Sequence, residues 1–512
     1  MHMSGQRIGI IDIGSNSVRL VVYERTDSGA HRVVDGAKES ARLSNKLDDK
    51  GRLSEEGLRE LIDTLRHFTT LCSHHGIAHI RAAATAAIRN AANCHSILHA
   101  IKCETGLAIE LLSGEQEASY GFLGMVNSLA VSDGYLIDIG GGSTELTLFR
   151  DRAILHSVSL PFGCVSMNKR YDSTGGMSDD TLQQLQQQVR KALQELSWVH
   201  TAPGLPLIGI GGTVRALAKR HQAAVHYPFA APHNYMLQEG QVNEMFHHMR
   251  LLPLEDRRKL GGLSKDRADV ILPGIAILRV FFETVQASHY WICGAGLRDG
   301  LFHATRFPSR PLLDDPLAYS VDNMSALHTE APRGHVLHVN RLAMEMHDYL
   351  ASICPQLDAI SARLLDTASK LFKVGASIDY YDYAKHTFYL IIHAHLNGLS
   401  HREIIMTAAI ASFRSKGKAR NHIVPYRQLV TESDLELICK LGSLLQLAAA
   451  LDRSETQAIG AIKMDKADGQ LLIQPLDFRG HLGLERRQTE EAAPDFRKHW
   501  GLIPVLAMPA AY

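Results

Sequence analysis

Two short segments carry the residue types that phosphate and metal chemistry use, in the same order. Residues 8–20 read Ile-Gly-Ile-Ile-Asp-Ile-Gly-Ser-Asn-Ser-Val-Arg-Leu, and residues 134–146 read Gly-Tyr-Leu-Ile-Asp-Ile-Gly-Gly-Gly-Ser-Thr-Glu-Leu. Asp12 falls on Asp138, Gly14 on Gly140, Ser17 on Ser143 and Leu20 on Leu146. Glycines let a backbone approach an anion, and successive amide N–H groups form an anion-binding nest. Asp138, at a strand end, can hold a divalent cation directly or through water, and Glu145 can add a second carboxylate. Mg²⁺ commonly takes one or two carboxylates and completes its octahedron with waters and phosphate oxygens. No lysine follows the glycines, so this is not a Walker A loop. Facing each other across a cleft, the Asp12-Ile13-Gly14-Ser15-Asn16-Ser17 turn and the Asp138-to-Thr144 turn would clamp a phosphate–metal unit from both sides. The plainer alternative is a pair of turns kept for folding.

Further segments add candidate groups. In Leu112-Ser113-Gly114-Glu115-Gln116-Glu117-Ala118, Ser113 followed by Gln116 is a capping-box pattern that starts a helix. Glu115 and Glu117 are either acids favoured by the helix dipole or the source of a carboxylate that activates water. A helix N-terminus lowers a carboxylate pKa, so a base there needs desolvation. Arg89 opens a helix among small residues, where a guanidinium can reach a phosphate bidentately or lie on the surface. Gly209-Ile210-Gly211-Gly212-Thr213 repeats the strand-then-glycine theme, and Gly294-Ala295-Gly296-Leu297-Arg298-Asp299-Gly300 is another glycine-bracketed turn. Either alone is weak evidence for phosphate binding.

The elements that must position these groups follow from hydrophobic period. Each repeated segment is an apolar run, a small-residue turn and a second apolar run, the pattern of a β-hairpin. Two copies at domain spacing indicate a duplicated domain. Helices are expected over 53–72, 86–103, 178–200 and 268–285, and strands over 78–83, 107–112, 206–210 and 290–292. That alternation predicts α/β domains with a largely parallel sheet. Phe307-Pro308-Ser309-Arg310-Pro311 reads as a linker. Beyond it, helical periodicity covers 336–353, 359–371, 384–396, 401–413 and 434–451. A hairpin is expected over 459–473 with Asp468-Gly469 at its turn. The expected domains are 1–130, 131–310, 317–455 and a small C-terminal α+β segment, 456–512.

Composition bounds the rest. The 512 residues include 45% apolar and 21% charged residues, ordinary for a globular protein. Lys+Arg and Asp+Glu are equal at 54 each, so there is no basic excess of the kind a duplex-binding protein carries. A polyanion would need a local basic groove, for which Arg414, Lys416, Lys418 and Arg420 are one candidate and a solvated charge run the alternative. Seven dispersed cysteines without a Cys-x-x-Cys pair fit a reducing compartment. The absence of a leader pattern and of an 18-residue apolar run leads to the expectation of a cytoplasmic protein without a membrane span. The 28 histidines are spread along the chain with no His-Glu-x-x-His.

Taken together, these strings resemble the exopolyphosphatase / guanosine pentaphosphate phosphohydrolase family over nearly the whole chain. The resemblance implies two actin-like (ribonuclease-H-like) ATPase domains with the active site between them, followed by an all-α HD-like domain. It implies hydrolysis of terminal phosphoanhydride bonds of inorganic polyphosphate, or of guanosine pentaphosphate, with Mg²⁺ as cofactor and a homodimeric chain. By analogy, Glu117 matches the carboxylate that activates water and Arg89 a phosphate-contacting arginine. Asp138 and Glu145 match acids near Mg²⁺. Asp12, Ser15, Asn16, Gly141, Gly142 and Ser143 match the phosphate loops. Gly212 and Thr213 are further phosphate-loop candidates, and Arg267 is a candidate for the substrate channel. A non-hydrolytic nucleotide-binding module of the same superfold is the rival outside enzymes. In the helical part, Phe372-Lys373-Val374-Gly375 stands where an HD domain would show His-Asp, with His386 and Asp452 as remnants. No metal site is expected there.

Overall fold

The computed structural model describes residues 6–507. It divides into two compact units, one ending at Pro316 and the other comprising the chain from Leu317 together with Ser28–Ala30.

The first unit contains two sheets. Strands β1 (Arg7–Ile13), β2 (Val18–Arg25), β3 (His31–Glu39), β4 (His79–Ala84) and β5 (Ile109–Leu111) form one, in the order β3-β2-β1-β4-β5. Strands β6 (Gly134–Ile139), β7 (Thr144–Arg150), β8 (Ala153–Leu160), β9 (Leu207–Ile210), β10 (Tyr235–Leu237) and β11 (Tyr290–Ile292) form the other, in the order β10-β11-β9-β6-β7-β8. Apart from the added edge strand β10, the two orders coincide: an antiparallel three-strand meander followed by two parallel strands. The hairpin repeat is therefore the start of a duplicated fold. The sheets are mixed, not largely parallel, because β3 and β8 extend each hairpin antiparallel. Both strands are half-exposed and lack the apolar run that marks a buried strand.

Helices cover the sheets through apolar stripes. In the Glu55–His74 helix, Leu61, Leu65, Phe68 and Cys72 are fully buried and Ser54 caps the start by accepting from the Gly57 N–H at 3.1 Å. The helix expected over 86–103 is broken into Ala86–Arg89 and Cys94–Thr105. Asn93, at the break, spends its side chain on both backbone groups of Leu53, at 2.9 and 3.0 Å. The helix expected over 178–200 stops at Gln194, and Leu196 turns extended so that Val199 can enter the core.

One helix pair sets the active geometry. Helices Gly114–Val126 and Leu297–Arg306 cross at glycines: a Cβ on Gly124 would lie 2.2 Å from the Gly296 carbonyl oxygen, and one on Gly300 would lie 1.9 Å from that of Tyr120. The glycines of the 294–300 string thus permit a close approach. They dock the helix carrying Glu117.

The second unit is helical from Leu317 to Ala450, with long helices at Arg333–Ala351, Ala359–Leu371 and Glu432–Ala450. A hairpin of β12 (Ile462–Ala467) and β13 (Gln470–Pro475) turns at Asp468-Gly469 and takes β14 (Ile503–Leu506) as a parallel third strand after the Gly483–Trp500 helix. His386 is not the partner of Asp452. Asp452 is fully buried and bonded to His335 Nδ1 at 2.8 Å. Among the described residues, no helix is long and apolar enough to cross a membrane, and no group of three or more His, Cys, Asp or Glu could hold a metal ion.

Candidate active site

The two hairpin turns meet. Gly14 and Gly140 each donate N–H to the serine three residues on, Ser17 and Ser143, at 3.1 and 3.0 Å, so the turns have one geometry. The tip of the second presses on the first: a Cβ on Gly141 would lie 2.9 Å from that of Ser15, and one on Gly142 would lie 3.3 Å from Ser15 Oγ. The carbonyl oxygens of Gly140 and Gly141 are taken by amides at the start of the Cys164–Tyr171 helix, at 2.9 and 3.0 Å. This leaves N–H polarity as what the loop can offer an anion. Gly163 allows that docking, since a Cβ there would lie 2.5 Å from the Gly140 oxygen. The sequence reading missed it. The signal was the Pro161-Phe162-Gly163 turn.

A cleft of about 130 Å³ opens between the turns. Its walls include Asp12, Ser15, Asn16, Glu117, Asp138, Gly141, Ser143, Gly212 and Arg267, nine of the predicted residues. Four others lie outside the lining. Gly142 packs on Ser15, as above. Thr213 is buried beneath Gly274. Glu145 is 3% exposed and accepts from Ser159 Oγ at 2.7 Å. Arg89 stands behind Glu117, donating to its Oε2 at 3.0 Å and to the Leu112 carbonyl at 2.8 Å. Arg89 is therefore placed as the partner of Glu117, where the expectation was phosphate contact, because Leu112 and Glu117 flank the cap of one helix and claim its guanidinium together.

The carboxylates are held in strained protonation states. Burial pushes Glu117 up to about 7; the Arg89 hydrogen bond and charge oppose this, and Asp138 and Asp12 add to it. Burial likewise pushes Asp138 up to about 6. Asp12 is raised by burial against the pull of Arg298, Arg19 and Arg215. Glu145 is raised well above the usual range by burial, by Glu117 and by Asp138, its neighbour across the hairpin. Desolvation thus overrides the helix-dipole effect on Glu117.

Three arginines of the lining escaped the sequence reading: Arg19, Arg215 and Arg298. With Arg267 they make four guanidiniums, none of which forms an ion pair with a carboxylate among the described residues. Arg215 is aimed by bonds to the Gly211 and Gly294 carbonyls at 2.9 and 3.0 Å. Arg267 lies flat on Gly212, where a Cβ would fall 1.7 Å from its Nη2. Burial and the neighbouring Arg298 and Arg215 lower Arg19 to about 10. Cations crowded this closely call for an anion of several charges. The signals were Arg19 directly across from Asp12 and Arg298 within the glycine string.

A space of roughly four water volumes, lined by carboxylates and guanidiniums, is large enough for a phosphoryl group. A carboxyl poised near neutral pH beside it can serve as general base.

Comparison with known proteins agrees with this geometry. The family model "Ppx/GppA phosphatase family" matches residues 21–305, and "Ppx/GppA phosphatase, domain III" matches residues 320–477. The chain is 27% identical over 478 residues to the guanosine-5'-triphosphate,3'-diphosphate pyrophosphatase of Vibrio vulnificus, covering 91% of each. It is 28% identical over 300 residues to exopolyphosphatase 1 of Mycobacterium bovis, covering 58% of this chain and 87% of that one. The crystal structure of the Aquifex aeolicus Ppx/GppA family member superposes with a TM-score of 0.52 at 28% identity, over 60% of this chain and 99% of that one. The duplicated α/β fold of the first unit is thus the actin-like fold of these structural neighbours, and the chain belongs to the Ppx/GppA phosphatase family.

Proposed function

We propose that the cleft hydrolyses the terminal phosphoanhydride bond of inorganic polyphosphate and releases orthophosphate. The observation that carries this is the set of four guanidiniums without carboxylate partners around a pair of buried aspartates. Arg19, Arg215, Arg267 and Arg298 would hold the equatorial oxygens of the terminal group and those of the next phosphate. Glu117 would take a proton from a water in line with the bridging oxygen. The new P–O bond forms as the bridging P–O bond breaks, and the shortened chain leaves with that oxygen. Arg89 orients Glu117 and keeps enough of it ionised to act.

Asp12 and Asp138 fit a divalent cation. They line one cleft, and burial pushes both carboxyls towards the proton-bound state, a cost that a bound cation removes. Mg²⁺ held there would supply charge neutralisation and polarise the phosphoryl oxygens. Glu145, expected as a second ligand, accepts from Ser159 through Oε1, and its buried Oε2, without a hydrogen-bond partner among the described residues, is left for that role.

The second reading is guanosine pentaphosphate hydrolysis, favoured by a full-length relative that carries a guanosine-pyrophosphatase name. Phosphate release from length-defined polyphosphate and from guanosine pentaphosphate, with Mg²⁺ and with EDTA, decides. A higher kcat/KM on polyphosphate is expected. Preference for the nucleotide installs the second reading, and no Mg²⁺-dependent release from either sinks both. A homodimer belongs to the proposal, and light scattering on the purified chain tests it.

A further inference from the structure

The helical unit contains a cavity of about 440 Å³ whose lining shares no residue with the cleft. That volume lies in the range of small-molecule sites. Its floor is apolar and tightly built: a Cβ on Gly442 would lie 2.3 Å from Cγ of Phe413. Its wall is aromatic and cationic. Arg414 sits over the Tyr383 ring at 4.6 Å, and Lys373 lies 5.8 Å from the Tyr380 centroid. Tyr380 and Tyr381 are 58% and 92% exposed, a large aromatic display on one short segment.

The charges at the mouth select the ligand. Lys373 is neutralised by Glu455, but Arg414 and Arg453 form no ion pair among the described residues. In the same lining, Glu491 is held by Arg487 and Gln488, at 3.0 and 2.6 Å, while Asp495 makes no ion pair among the described residues. A bare polyphosphate chain would meet those acids as well as the arginines. A molecule with a flat base, hydroxyls and phosphate groups meets each wall with its complement.

We propose that this cavity binds a purine nucleoside phosphate. The base stacks on the tyrosines, which present flat faces that any purine can use. The phosphates take Arg414 and Arg453. A sugar hydroxyl donates to Asp495. The inference is independent of which substrate the cleft prefers, and none of these residues lines the cleft.

The test uses the full chain and 8-azido-ATP, with photolabelled peptides mapped in EDTA. Label is expected on peptides containing Tyr380–Tyr383 or Phe413-Arg414. In the double variant Arg414→Glu/Arg453→Glu, that labelling falls about tenfold or more, as expected when charge-assisted bonds are removed. Tyr383→Ala, which keeps every charge at the mouth, also loses label and guards against a folding defect in the double variant. Tripolyphosphate is expected to compete much more weakly than ATP. The proposal is overturned if label appears only on cleft peptides, if it survives in the double variant, or if tripolyphosphate competes as well as ATP.

Discussion

Arg19 and Glu145 hold the same place in the two halves of the duplicated fold, each directly across its hairpin from the aspartate: Arg19 from Asp12, and Glu145 from Asp138. In an antiparallel pair such residues point to one face, so one half sets opposite charges side by side and the other sets like charges. Arg19 draws the Asp12 carboxyl down against its burial, whereas Asp138 adds to the burial and the Glu117 charge that raise Glu145. One backbone repeat thus carries an arginine beside one aspartate and a glutamate beside the other.

Burial of Asp138 costs stability. Asp138 titrates at about 6 against an ordinary 3.8, so the folded state binds its proton more tightly than the unfolded chain does. Its contribution is fully present below about pH 4 and is lost as pH rises towards 6. Asp138→Asn removes that loss. The variant should be more stable than the parent at pH 7–8 by on the order of 2–3 kcal/mol, at about 1.4 kcal/mol per pKa unit. The advantage should vanish near pH 4, and turnover should be lost. Denaturant melts at both pH values check this; equal stability at pH 7 would refute it.

Glu117→Gln keeps the shape of the side chain and removes the base. Phosphate release should fall by about 10²–10⁴-fold, the usual contribution of general-base catalysis, while polyphosphate binding by calorimetry stays near that of the parent. Near-parental release would remove Glu117 from the mechanism.

The pH profile reports the Arg89–Glu117 bond. Glu117 acts when ionised, so the rate should drop as pH falls through about 7. Arg89 holds that carboxyl down, and Arg89→Ala should therefore move the acidic limb to higher pH. The rate at pH 6 should fall roughly tenfold or more, with a smaller deficit at pH 9. A uniform loss at every pH, with KM raised, would instead mean that Arg89 contacts the substrate.

Gly212 serves as the seat of the Arg267 guanidinium, so Gly212→Ala must expel it. The variant should raise KM for polyphosphate about as much as Arg267→Ala does, in the range of one charge-assisted contact, about 1.5–3 kcal/mol. The double variant should be no worse than either single one. Additive losses would place the two residues in separate roles.

Much of this was legible in the chain because it is local. The Asp-Ile-Gly hairpins, the Ser113 cap and the Asp468-Gly469 turn depend on neighbours within a few residues, and the repeat itself announced a duplicated domain. Ser15, Asn16, Gly141 and Ser143 could be named because they sit in the two repeated hairpin turns, whereas Glu117, in a helix, and Arg267 were named through the family resemblance. What the chain could not disclose was decided across long separations. Asn93 breaks a helix by bonding to Leu53, forty positions away. Arg19, Arg215 and Arg298 look like ordinary arginines until three separate elements bring them into one cleft without acidic partners. Arg89 bonds to Glu117 because the cap of a distant helix offers it two acceptors. The types of chemistry are written in single residues, but charge balance and desolvation are properties of a packed volume, and only the tertiary structure supplies that volume.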